Sequence, residues 1–260
     1  MTTPQPPTTG TSPPPTPLPL PSPLLRAMHA SDQAMYPAAP PYARLRTWVA
    51  ACPALSVRFW DAAAGGGGGG ADVGVIIVLP LRRACWEQLL CGAVKEGDVE
   101  VGGMFPSGAG RMGMEGGEGK GEEVGLHVYH VEKFAVVSGE SGRRRGLGGG
   151  GKGFAEFALG EVMRRVEAGT GWRVVGLSAL TATAAGKRTF ERMGFKPTGY
   201  RELFVAKAAQ GAHADASGTD NQQVEMVCLY PGGETGEGGS EKGADGVVVS
   251  ASEMTVKYSV

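Results

Sequence analysis

The sequence predicts an α/β domain, and three observations carry that prediction. Leu126–Val137 is a strand-like run in which apolar and polar residues interleave. From about Phe154 to Glu167, Ala155, Ala158, Leu159, Val162, Met163 and Val166 recur at the spacing of one buried helical face. A second buried strand follows at Trp172–Leu180, and then a short helix, Thr183–Met193, stopped by Gly194 where a C-terminal cap is expected.

The flanking elements are read in chain order. Residues 1–24 are mostly Pro, Thr and Ser, with little to bury, and are expected to be a disordered tail. Asp32–Tyr36 and Tyr42–Ala51 read as short helices. Ser56–Asp61 and Asp72–Leu79 read as an antiparallel hairpin joined through the polyglycine stretch 65–70. Ala84–Cys91 is a short amphipathic helix, residues 102–123 a glycine-rich surface loop, and Val224–Tyr230 a last strand. The folded domain is expected to span 25–231, with a flexible Gly/Glu-rich tail over 232–260.

Composition removes several function classes. The net charge is −1, from 25 basic and 26 acidic residues, so no global attraction to nucleic acid or membranes is expected. No apolar run approaches the ~18 residues of a membrane span. The N-terminal stretch lacks the marks of a signal or transit peptide. Cys52, Cys85, Cys91 and Cys228 form no C-x-x-C pair, and the four histidines are dispersed. These features predict an intracellular, cytoplasmic protein with reduced cysteines and no metal.

The chemistry is foreshadowed by Gly150-Gly151-Lys152-Gly153-Phe154-Ala155, a glycine-rich turn between strand and helix. Free backbone N–H groups and the positive end of the helix dipole meet there, which suits a phosphate or pyrophosphate. Gly146–Lys152 also fits the front of a Walker A loop, but Gly153 stands where that loop needs Ser or Thr. Gly146, Gly148 and Gly151 satisfy G-x-G-x-x-G without its βαβ context. With 44 glycines in 260 residues, against a usual ~7%, such patterns arise cheaply.

The order of motifs is more specific than any one of them. Thr189-Phe190-Glu191-Arg192-Met193-Gly194-Phe195 resembles the "LYEKLGF" signature of the GCN5-related N-acetyltransferases. Gly151–Leu159 resembles that family's pyrophosphate loop and helix, and Val224–Tyr230 its last strand. The resemblance covers roughly 26–231 and is strongest over 126–195. It implies a mixed, mostly antiparallel sheet flanked by helices, with splayed central parallel strands. It also implies acetyl-CoA as co-substrate, an amine of unassigned identity as acceptor, and direct transfer without a covalent enzyme intermediate. A non-catalytic acyl-CoA-binding module is the alternative.

Site residues follow from alternation and from the resemblance. Period-2 alternation puts Leu126, Val128, His130, Glu132, Phe134 and Val136 on one strand face. His130 and Glu132 then project side by side, and either can take a proton from an amine. The resemblance implies that Phe134, Ala135 and Val136 meet the pantetheine arm and that Gly150, Gly151, Lys152, Gly153, Phe154 and Ala155 meet the pyrophosphate. Gly150 stands where the family has Gln or Arg, and Arg143, Arg144 and Arg145 lie in the expanded loop before it. Thr183 replaces a common asparagine and suits an N-cap. Phe190 replaces the tyrosine that protonates the departing thiolate in many members, and a phenyl ring donates no proton. Tyr200 is the other candidate for that role.

Overall fold

The computed structural model describes residues 14–35, 40–64, 69–111, 121–134, 153–204, 222–230 and 257–258. In chain order the elements are β1 (Thr16–Pro19), α1 (Ser22–Met35), α2 (Tyr42–Ala51), β2 (Ser56–Asp61), β3 (Ala71–Arg82) and α3 (Arg83–Leu90). Then come α4 (Val101–Met104), β4 (Glu123–Lys133), α5 (Phe154–Gly169), β5 (Arg173–Thr181) and α6 (Ala184–Arg192). β6 (Lys196–Phe204), β7 (Gln222–Leu229) and the two-residue β8 (Lys257–Tyr258) complete them, with a 3-10 turn at Glu96–Asp98 between α3 and α4.

All eight strands form one sheet in the order β1-β2-β3-β4-β5-β7-β6-β8. Strands from β1 to β4 pair antiparallel, as do β5 with β7 and β7 with β6. At the centre β4 and β5 run parallel. Their last pair is Val128 with Ala179, although β4 continues to Lys133 and β5 to Thr181. The two strands therefore part beyond Val128. Alternate backbone donors and acceptors of β4 face the resulting fork without a β5 partner.

Two apolar layers hold the sheet. On one face α5 buries Ala158, Leu159, Val162 and Val166 of the stripe its periodicity predicts, and Phe154 besides, while Ala155 and Met163 are only half-buried. Phe154 sits so close to Gly74 that a Cβ there would lie 2.2 Å from its ring. On the other face Trp86 of α3 lies flat on Gly125 and Gly176, whose absent side chains make room for the indole. Trp48 of α2 is buried on the same side, donates from Nε1 to the Val99 carbonyl at 2.9 Å, and meets Tyr129 edge-on at 5.3 Å.

α6 closes at both ends as its sequence dictates. Thr183 is the N-cap, its hydroxyl accepting from the Gly186 N–H at 3.0 Å. At the other end Gly194 takes φ +92°, and Phe195 N–H bonds to the Phe190 carbonyl while Gly194 N–H bonds to that of Glu191. That is a Schellman motif, completed by Phe190 and Phe195 packing edge-on at 4.9 Å.

Two expectations are corrected. The N-terminal tail does not extend to residue 24: β1 and the first turn of α1 lie inside it, and α1 begins ten residues before Asp32. Proline is compatible with β1 because the strand is an edge, where a missing N–H leaves no gap in the ladder. Arg165 of α5 secures this segment, donating to the Pro17 and Ala54 carbonyls. The second correction concerns the alternation of β4, below. Lys196–Phe204, to which the sequence reading assigned no element, is a full strand between β7 and β8.

Candidate active site

β4 does not keep strict alternation. Its register against β3 shifts between Ile77 and Val78: Val78 faces Val128 and Ile77 faces His130, leaving Tyr129 as the surplus residue of a β-bulge. Directly opposed residues share a face, so His130 opposite Ile77 and Glu132 opposite Val75 lie on the side of His127, opposite Leu79. Leu126 and Val128 lie on the other side. The expected face-sharing of His130 with Leu126 and Val128 is therefore wrong, whereas its adjacency to Glu132 holds.

His130 sits two residues past the last β4–β5 pair, at the mouth of the fork. Its ring lies between two carboxylates. Nδ1 is 3.4 Å from Asp32 Oδ1 on α1, and Nε2 is 3.4 Å from Glu132 Oε2. Asp32 is 2% exposed, the His130 side chain 10% and the Glu132 side chain 43%, so the line runs from interior to solvent. These are ion-pair contacts slightly too long or misaligned to be hydrogen bonds, and both Asp32 Oδ1 and His130 Nε2 are buried without a hydrogen-bond partner among the described residues. Burial pulls the imidazole pKa down, but the carboxylates of Asp32 and Glu132 outweigh it and raise it to about 9. In return, the adjacent His130 lowers the Glu132 pKa against the opposing effect of partial burial. Nothing in the sequence pattern marked Asp32, which is one of several polar residues in α1.

The second imidazole on this face is fully engaged. His127 is 0% exposed, with Nδ1 2.9 Å from Ser178 Oγ and Nε2 2.7 Å from Glu96 Oε1. The Trp86 indole, a donor only, reaches Ser178 Oγ at 2.8 Å. Ser178 thus accepts from Trp86 and is free to donate to His127 Nδ1, while His127 Nε2 donates to Glu96. The chain Trp86–Ser178–His127–Glu96 ties α3, β5, β4 and the Glu96 turn together.

The start of α5 lies on the opposite face, over Gly74 and near the end of β4. Gly153 is its N-cap at φ −70°, and among the described residues no side chain caps it and no atom lies within 4 Å of a Cβ placed on it. The N–H groups of Phe154 and Ala155 belong to the first turn, where no intrahelical carbonyl is available to them, and Glu156 lies in the same turn. Phe134 is half-buried and donates its N–H to the Val73 carbonyl at 3.0 Å. Ala135, Val136, Gly150, Gly151, Lys152 and the Arg143–Arg145 cluster lie outside the described residues.

Thr183 is exposed at the start of α6, but the Phe190 ring is committed to the core beside Phe195 at 6% exposure. Tyr200 donates to Glu202 Oε1 at 2.6 Å and packs against Gly92. Burial, Glu202 and the nearby Glu96 and Asp98 all raise its pKa. Tyr200 belongs to β6, separated from β4 by β5 and β7. Among the described residues there is no cluster of three or more His, Cys, Asp or Glu fit to hold a metal, and no helix is long and apolar enough to cross a membrane.

No protein-family model matches the sequence, and no curated protein matches it. Similar solved structures include Arabidopsis thaliana NAA60 with a bisubstrate analogue, at 12% identity and TM-score 0.47, covering 83% of this chain and 98% of that one. The same protein in complex with acetyl-CoA is similar at 13% identity and TM-score 0.46, over 84% and 99% of the two chains. A mosquito arylalkylamine N-acetyltransferase-like protein is similar at 13% identity and TM-score 0.40, over 83% and 99%. These likenesses are of outline only. The strand order, the central parallel pair and its fork give this chain the architecture that its resemblance to the GCN5-related N-acetyltransferases implied.

Proposed function

We propose that the chain is an acetyl-CoA-dependent N-acetyltransferase that passes acetyl directly to an amine. The observation that carries this reading is a parallel-strand fork with a carboxylate–imidazole–carboxylate line at its mouth. An extended thioester arm would lie in the fork against the backbone of Phe134, Ala135 and Val136. Its pyrophosphate would meet the N–H groups of Gly150, Gly151, Lys152, Gly153, Phe154 and Ala155. The amine would lose a proton toward Glu132, the exposed member of the line, with His130 behind it. The neutral nitrogen would then attack the thioester carbonyl. Thr183 and Phe190 would border the cofactor from α6. The acceptor would approach through the groove lined by Arg44, Thr47, Trp48, Val99 and Glu100, whose Trp48 touches Tyr129.

One observation favours a second reading, a non-catalytic acyl-CoA-binding module: Phe190 has no hydroxyl and is packed into the core. Calorimetric titration of the full chain with acetyl-CoA and with ATP·Mg, followed by turnover on an amine panel, separates the two. Saturable acetyl-CoA binding with turnover is expected. Binding without turnover favours the module, and ATP binding without acetyl-CoA binding rejects both. Gly153→Glu sharpens the test, because the backbone conformation and open space at 153 accept a side chain without unfolding. Its carboxylate repels phosphate, so acetyl-CoA affinity should fall at least ~10-fold, the scale of one unfavourable charge contact of ~1.4 kcal/mol.

A further inference from the structure

We propose that Asp32, His130 and Glu132 form a one-proton circuit in which His130, kept as an imidazolium by buried Asp32, protonates the departing CoA thiolate. The proposal rests on the acetyl-transfer reading and assigns within it two roles left open: the general acid, and the purpose of Asp32. A carboxylate placed 2% exposed beside a buried ring, with an oxygen left unpaired by the described residues, is costly unless it holds a charge opposite it. The charged groups acting on the ring are Asp32 from α1 and Glu132 from β4. Opposite the line β3 presents the apolar Val75 and Ile77, with Leu79 next along the same face, and α2 presents Trp48 beside Tyr129. On α1, His29 is occupied by the Pro40 carbonyl and Gln33. His127, on the same strand face, is occupied by Ser178 and Glu96. Both carboxylates favour the protonated ring.

The step balances. The substrate ammonium first gives one proton to solvent by way of Glu132. The neutral nitrogen then forms a bond to the thioester carbonyl carbon, and its surplus N–H proton passes to the again ionised Glu132. The C–S bond breaks, and sulfur leaves with the electron pair. The His130 Nε2 proton passes to that sulfur, giving the CoA thiol and a neutral imidazole. The proton on Glu132 then crosses the 3.4 Å gap to His130 and restores the starting state. A neutral amine thus releases no net proton. A free thiol of this kind ionises near pH ~8.5, close to the raised value for His130, so donor and leaving group are matched.

The test has one arm that needs no catalysis. Ring resonances of the full chain, assigned with His130→Gln, are titrated by NMR: His130 should titrate well above the ordinary histidine range. Asp32→Asn should move it back by about one pH unit or more. Glu132→Gln, on the solvent side, moves it the same way if Asp32→Asn does not fold. A ring titrating in the ordinary range in the wild type overturns the proposal. In the second arm, the basic limb of the kcat profile should follow the NMR titration and shift down with it in Asp32→Asn. A limb that stays put while the ring titration moves overturns the acid role. A high-titrating His130 in a protein that acetylates no amine rejects the acetyl-transfer reading itself, and the circuit's chemistry with it, while leaving the charge arrangement standing.

Discussion

His127 and His130 share one face of one strand, yet their surroundings differ in kind. His127 has a partner on each nitrogen at 2.7–2.9 Å, and each partner is itself placed by the fold. His130 has a carboxylate 3.4 Å from each nitrogen, and two polar atoms of its group remain unpaired among the described residues. A satisfied buried network contributes rigidity, whereas a partly satisfied one in the same environment is kept at a cost to stability. The difference separates a residue tied into the sheet from one held between charges in an incompletely satisfied setting. It also shows why histidine alone says little in a sequence.

The largest expected effect separates the two in activity. His130→Gln should cut turnover by ~10²–10⁴-fold, the usual worth of acid–base assistance. Stability should fall as well, because the buried Asp32 carboxylate loses the charge opposite it. Combining His130→Gln with Asp32→Asn removes both charges and should recover stability but not turnover; a double variant as active as the parent would erase the distinction.

Ser178→Ala probes the other side. It leaves the Trp86 indole N–H and His127 Nδ1 buried without their partner, and should lower stability by ~1–3 kcal/mol in urea unfolding. The acetyl-CoA affinity of the surviving folded fraction should be unchanged. A variant as stable as the parent would show that the network tolerates water in place of the hydroxyl.

The pH dependence of stability offers a smaller signal. Folding raises the His130 pKa from the ordinary 6.5 to about 9. Its contribution is therefore fully present below about pH 6.5 and is lost as the pH rises through about 9. Asp32→Asn should flatten that decline, measured as Tm against pH, while Ser178→Ala should leave its slope intact. The smallest effect belongs to the residue between the two sites. A double-mutant cycle on Tyr129 and Trp48 should give ~0.5–1.5 kcal/mol, the coupling of an edge-on aromatic pair.

Much of this was readable from residues. The α5 stripe, the bounds of α2, the Thr183 cap and the Gly194 stop all follow from local rules, because each depends on neighbours within a few positions. The pairing of His130 with Glu132 was legible because the two stand on the same side of the bulge. The rest was not local. β1 hid behind its prolines, which are acceptable only because that strand is an edge. β6 hid behind Pro197, Gly199 and its charges, and it forms because β7 supplies a ladder. The bulge at Tyr129 has no signature in the strand and shows only against β3. Asp32 gains its meaning from the packing of α1 over β4, and Glu96 from a turn that reaches His127 across 31 positions.

The bulge coincides with the fork. The surplus residue follows the last β4–β5 pair directly, and a bulged strand bends and twists more tightly than a regular one. The parting of the two strands is thus built into the β4 backbone, and no ligand has to wedge them apart. The thioester arm proposed for this slot would meet an edge that β5 leaves unpaired among the described residues, and would spend little of its binding energy on rearrangement. Association should accordingly proceed in one phase whose rate rises linearly with ligand concentration, with no slow isomerisation behind it.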